Sequence, residues 1–118
     1  MNFDEYQRAA LRSAIYPTGV GRIGGVFVNV GLDYVTMKLA GEVGEVAEKI
    51  GKIRRDKQGI MFEADHEALK KELGDVLWYV TAMANELGFD LEDVARANLE
   101  KLASRAKRGT LGGSGDDR

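Results

Sequence analysis

The chain contains no cysteine, one proline and one histidine in 118 residues. The missing cysteines exclude disulfides, thiolate metal ligands and cysteine nucleophiles, and fit a reducing compartment. A single histidine, His66, excludes sites built from several imidazoles. A carboxylate-bridged di-iron bundle needs two Glu-x-x-His motifs, and only Glu63 and His66 have that spacing. An excess of charge of one sign is also lacking: 17 basic against 19 acidic residues give a net charge of -2. No whole-chain footprint for nucleic acid or an anionic membrane follows from that balance. Lys101, Arg105, Lys107 and Arg108 cluster near one helix end, where they complement its dipole as readily as they would contact DNA. No stretch approaches the roughly 18 apolar residues of a membrane span. The segment Met1 to Arg12 has no apolar signal-peptide core. The expectation is a cytoplasmic protein with no membrane and no nucleic-acid partner.

The composition, 44% hydrophobic and 31% charged, supports one folded domain. A helical bundle this small often extends its core by self-association, so a homodimer or homotetramer is expected. Asn2 is placed to cap a first helix of about three turns, carrying Phe3, Tyr6 and Ala10 at helical spacing and ending before Pro17. Gly19, Gly21, Gly24 and Gly25 mark a flexible connection, and Val26 to Val30 reads as loop or the approach to a helix, with no strand pair expected. Val35, Leu39, Val43, Val46, Ile50 and Ile53 form an apolar stripe on a helix reaching about Arg55, followed by a loop near Asp56 to Ala64. A second long stripe runs from Leu69 to Leu87 and stops at Gly88. Asp90 then reads as the N-cap of a last helix that turns Leu91, Val94, Ala95, Leu99 and Leu102 inward and stops at Gly109. The predicted architecture is all-α, a four-helix-type bundle: one domain over residues 1–108 and a Gly-rich tail over 109–118.

Glu42 and Glu45 lie three apart on the first long helix, about 60° around its axis, at the margin of the apolar stripe. Glu72 and Asp75 repeat that arrangement on the second long helix, with Tyr79 one turn further along the same edge. If the two helices pack antiparallel, four carboxylates meet at a groove, and their repulsion calls for divalent cations. Magnesium suits an all-oxygen donor set that leaves positions for water and phosphate. Each pair also encloses a glycine, Gly44 or Gly74. Such a glycine costs a helix about 1 kcal/mol relative to alanine, which predicts close packing or ligand approach there.

The segments Gly41-Glu42-Val43-Gly44-Glu45-Val46 and Lys71-Glu72-Leu73-Gly74-Asp75-Val76-Leu77-Trp78-Tyr79 resemble the signature of MazG-like all-alpha nucleoside triphosphate pyrophosphohydrolases. The tail, Arg108 to Leu111 with Gly113 to Asp116, is similar to bacteriophage-encoded members, which would work in a host cytoplasm. The resemblance implies cleavage between the alpha and beta phosphates of a nucleoside or deoxynucleoside triphosphate, giving monophosphate and pyrophosphate. It also implies Mg2+, with Mn2+ able to substitute, held by Glu42, Glu45, Glu72 and Asp75 as the catalytic residues. Such ions neutralise phosphate charge and lower the pKa of an attacking water. Some relatives carry an additional glutamate just before the first acidic residue; here that place is Gly41, which leaves the base open between Glu45 and Glu48.

Lys38, Tyr79, Asn98, Lys101 and Arg105 complete the candidate set as substrate-binding residues. Lys38 stands one turn before Glu42, and Asn98, Lys101 and Arg105 share one edge of the last helix. The resemblance attributes phosphate or metal-side contacts to an Asn-x-x-Lys pair. Trp78, Tyr79, Phe27 and Tyr34 are candidates for stacking on a base, and Asn29 and Asn85 for reading its edge. A preference for (d)GTP is the expectation. The competing reading is a non-catalytic nucleotide-binding or regulatory bundle that binds ligand without releasing pyrophosphate.

Overall fold

The computed structural model describes residues 1–118. Its elements run α1 (Phe3–Ala10), a 3-10 turn (Leu11–Ser13), β1 (Val20–Ile23), β2 (Val26–Asn29), α2 (Val30–Lys57), α3 (Glu63–Glu86) and α4 (Leu91–Lys107). The class is the predicted one, helices dominating, with one addition. At the start of α1, Asn2 Oδ1 accepts from the Glu5 N–H at 2.8 Å while the Glu5 carboxylate accepts from the Asn2 N–H at 3.0 Å. That reciprocal box satisfies two donors that a helix start otherwise leaves unpaired.

The addition corrects the sequence reading of residues 20–29. β1 and β2 pair antiparallel, Val20 against Asn29 and Ile23 against Val26. Gly24 and Gly25 both have positive φ, 55° and 83°. Two such residues make the primed turn whose twist matches a hairpin, and the β-branched flanks then pair. Those glycines are a hairpin signal as well as a flexibility signal. Asn29 ends the hairpin and caps α2, its side chain accepting from the Leu32 N–H at 2.9 Å.

α2 and α3 are the principal helix pair, joined by five residues in which Gln58 and Gly59 adopt left-handed φ of 53° and 81°. Their register is antiparallel: a Cβ on Gly31 would meet Glu86, Lys38 reaches the Tyr79 ring, Lys49 pairs with Glu72 and Lys57 with Asp65. The interior between helices is small, centred on Val35, Ile53, Ala82, Ala84 and Leu91 with Thr81. At the far end of α3 the expected glycine stop is present: Gly88 has φ 75°, and the Phe89 N–H returns to Ala84 O at 2.8 Å.

The start of α4 departs from expectation. Asp90 occupies the cap position but its side chain makes no capping bond. The donor is satisfied from α1 instead: Gln7, 8% exposed, accepts from the Leu91 N–H at 2.7 Å and donates to Phe89 O at 3.1 Å. One buried amide thus ties the first helix to the last. Further along α4, Leu99 is 67% exposed and Leu102 40%, so the inward face predicted for them is open within a single chain. The chain is correspondingly spread. Its radius of gyration is 17.8 Å, against about 13.5 Å for a compact domain of this length.

Candidate active site

The antiparallel register of α2 and α3 brings the acidic residues together. Carboxylate oxygens of Glu42, Glu72 and Asp75 lie within 4.8 Å of one another. Glu42 and Glu72 are partly covered, with side chains 17% and 18% exposed, whereas Asp75 faces solvent. Two lysines offset part of the charge, Lys38 Nζ at 3.8 Å from Glu42 and Lys49 Nζ at 3.3 Å from Glu72. Glu45, the fourth acid predicted, is exposed and stands outside this group. Glu48 pairs with Lys52 at 2.9 Å and is exposed.

Beside the acids opens a cavity of about 600 Å³ whose walls include Glu42, Asp75, Tyr34, Trp78, Tyr79 and Tyr16. The aromatic rings support one another. Tyr16 and Tyr34 stack at 5.7 Å between centroids, Trp78 meets Tyr16 edge-on at 6.1 Å, and Trp78 meets Tyr79 edge-on at 4.9 Å. Trp78 Nε1 donates to Ala10 O at 3.1 Å and to Ser13 Oγ at 3.0 Å, which fixes the indole against the turn after α1. Tyr16 Oη donates to Glu86 Oε1 at 2.7 Å. Burial, the bond to Glu86 and that carboxylate's charge push the Tyr16 phenol up to about 12. Burial, then the neighbouring Tyr34 and Glu42, push the Tyr79 phenol up as well.

Of the substrate-binding residues predicted, Lys38 and Tyr79 are at this site, with Lys38 Nζ 5.8 Å from the Tyr79 ring centroid. Asn98 and Lys101 line a separate hollow at the α3–α4 junction, with Phe89 and Val94. Arg105 is buried beneath the C-terminal tail. Phe27 sits on the exposed hairpin, 5.1 Å from the Arg22 guanidinium, and Asn29 is occupied as a helix cap. Tyr16 escaped the sequence reading because it belongs to no helical stripe. The available signal was an aromatic residue directly before the only proline, where a loop rather than a core accounts for it. The glycines within the acidic pairs, Gly44 and Gly74, have nothing within 4 Å of an added Cβ, so the close packing expected there is absent within the chain.

An all-oxygen cluster of three carboxylates is the donor set of a hard divalent cation such as Mg2+, and the flanking lysines leave negative charge for one to neutralise. The cluster therefore fits a metal. An acidic metal site next to an aromatic cavity can hold a phosphate chain through the cation and a flat ring against the wall.

Residues 32–110 match the MazG nucleotide pyrophosphohydrolase domain. The chain belongs to this family, whose members are metal-dependent nucleotide pyrophosphohydrolases. It is 49% identical over 118 residues, the whole of both chains, to the Gene 37 protein of Mycobacterium phage L5. It is also 35% identical over 83 residues, 69% of this chain and 76% of the relative, to the Uncharacterized protein YvdC of Bacillus subtilis (strain 168). No solved structure matches the chain. No helix is long and apolar enough to cross a membrane.

Proposed function

We propose that this protein hydrolyses a nucleoside or deoxynucleoside triphosphate between the alpha and beta phosphates, releasing monophosphate and pyrophosphate, with (d)GTP the preferred substrate. The observation that supports this reading is the convergence of Glu42, Glu72 and Asp75 within 4.8 Å at the mouth of an aromatic cavity. These three residues would hold Mg2+, or Mn2+ in its place, and Glu45 would join them from the exposed turn one step along α2. When bound, the cation supplies charge neutralisation at the phosphates and a more acidic water. Lys38 is placed to meet a phosphate oxygen once it leaves Glu42. Tyr34, Trp78 and Tyr79 offer ring faces and edges to a purine.

We further propose that the active form is a homodimer or homotetramer. The accessible surface of one chain is 8475 Å², about a third more than the roughly 6,300 Å² expected of a compact monomer of this mass. The excess includes the apolar Leu73, Leu99 and Leu102, each at least 40% exposed. An association burying on the order of 1,000 Å² per partner would cover such faces. Asn98, Lys101 and Arg105 do not line the cavity of their own chain, so in this reading they meet substrate only from a second copy.

The test is a panel of common NTPs and dNTPs incubated with the protein and Mg2+, with products resolved and Glu72→Gln as control. Monophosphate and pyrophosphate from one or a few substrates, lost in the variant, are expected. Diphosphate and phosphate as products would overturn the reaction. Nucleotide binding without turnover would leave the non-catalytic bundle as the correct reading.

A further inference from the structure

The hairpin of β1 and β2 has no third strand, and its principal neighbour is the start of α2. Two strands alone are marginal in water and need a covering element. The pairing sets Val20, Arg22 and Phe27 on one face and Ile23, Val26 and Val28 on the other. Val20, Ile23, Val26 and Phe27 are 64–74% exposed, so both faces are apolar and open. These four side chains leave on the order of 500 Å² in water, as much as the largest apolar patch on a typical monomer. The one charged residue of the hairpin is Arg22, which lies 5.1 Å from the Phe27 ring centroid and donates to Gly25 O at 3.3 Å. At the same end of the α2–α3 pair, Leu32, Met37, Met83 and Leu87 line an apolar groove of about 410 Å³ whose one charged residue is Asp33. No hairpin residue lines that groove in its own chain. Neither Arg22 nor Asp33 makes an ion pair within the chain.

We propose that the hairpin is an arm that docks in this groove on a second copy of the chain, with Arg22 meeting the partner's Asp33. The two surfaces are complementary in chemistry, an apolar ribbon with one unpaired cation and an apolar groove with one unpaired anion. They are also placed for exchange. Asn29 ends the hairpin and caps α2, and the groove lies on the first two turns of α2 against the end of α3. A two-fold axis at that end lays each hairpin on the other copy's groove, so that the same pair of residues meets twice. The reciprocal exchange covers two arms and two grooves, on the order of 2,000 Å² in all, which is the area of a stable interface. Tyr16 and Pro17, which wall the cleft, lead directly into β1, so the docked arm anchors the segment that carries them. The contact rests on the self-association proposed above, but it lies at a different face from Leu73, Leu99 and Leu102 and does not depend on the reaction.

The experiment is sedimentation velocity of the full chain over a concentration series, with charge reversals at the two positions. Arg22→Glu sets a carboxylate against the partner's Asp33, and Asp33→Lys sets an ammonium against the partner's Arg22; each is expected to weaken association about tenfold or more. Both positions are exposed in the single chain, so the fold is retained. Mixing the two variants in equal amounts should restore association, because each arm then meets a groove of opposite charge. The double variant, with both reversals in one chain, should associate like wild type. A mixture no more associated than the separate variants, or single variants that sediment like wild type, would overturn the hairpin contact. Leu99→Lys tests the α4 face separately. Association lost in Leu99→Lys but kept in Arg22→Glu would remove the arm and leave that face, and the reverse would remove that face and leave the arm. A wild type that stays monomeric throughout would overturn both.

Discussion

The aromatic wall of the cleft hangs on a contact that one methyl group should break. A Cβ built on Gly31 would sit 2.7 Å from Cδ, Oε1 and Oε2 of Glu86. Gly31→Ala therefore requires the Glu86 carboxylate to move. That carboxylate is the acceptor of the Tyr16 hydroxyl at 2.7 Å. Losing a hydrogen bond to a charged group costs about 1.5–3 kcal/mol, toward the lower end where water reaches it. Replacing a helical glycine by alanine returns about 1 kcal/mol. The balance is a destabilisation of about 1 kcal/mol, or roughly 4 °C in Tm for a domain of this size. Absorbance titration of the tyrosines separates this account from a general packing defect. In the wild type Tyr16 ionises at about 12; in the variant it should fall toward the ordinary phenol value of about 10. The folded-state value is raised, so the stability contributed by Tyr16 is fully present below about 10 and lost as pH climbs toward about 12. The stability gap between wild type and variant should close across that window. A variant that melts higher than wild type, with the tyrosine titration unchanged, would refute the reasoning, because only the helix-propensity gain would then remain.

Two other perturbations test the frame and the site. Gln7→Ala removes both bonds that join α1 to the start of α4 and leaves the buried Leu91 N–H without a partner; urea unfolding should show a loss of about 2–3 kcal/mol. A loss of under about 0.5 kcal/mol would mean that the two bonds contribute nothing to the frame. At the acidic cluster, Mg2+ at ten times its Kd should stabilise the protein by about 1.4 kcal/mol, near 5 °C in Tm. Asp75→Asn should abolish that shift, and a variant that responds to Mg2+ like wild type would remove Asp75 from the metal site.

The features legible in the sequence were those governed by local rules. The cap at Asn2, the glycine stops at Gly88 and Gly109, and the long stripes of α2 and α3 each follow from residues within a few positions of one another. The convergence of Glu42, Glu72 and Asp75 was legible because one assumption, antiparallel packing of successive helices, suffices to juxtapose edges. What escaped depends on partners distant in the chain. The cap of α4 comes from Gln7 rather than from the adjacent Asp90, and no local pattern distinguishes the two. Tyr16 lines the cleft through a bond to Glu86, seventy residues away. The inward face of α4 was read from periodicity, which identifies an apolar stripe but not what covers it. The hairpin is a different case, since Gly24-Gly25 between β-branched residues was a sufficient signal that the surrounding glycines obscured.

Gly74 separates two explanations for a glycine inside an acidic pair. Close packing of helices would have shown a neighbour within 4 Å of an added Cβ, and there is none. The residue therefore weakens α3 by about 1 kcal/mol with no compensation inside the chain. Under the proposed function the compensation is room beside Glu72 and Asp75 for a phosphate chain and its cation. Gly74→Ala should then have opposite effects on two measurements. The ligand-free protein should melt about 4 °C higher, from the helix gain alone. The further rise in Tm produced by Mg2+ with a non-hydrolysable nucleotide should shrink, because the new methyl group occupies space next to the ligands. A variant that gains stability and binds Mg2+-nucleotide as well as wild type would show that Gly74 serves no ligand.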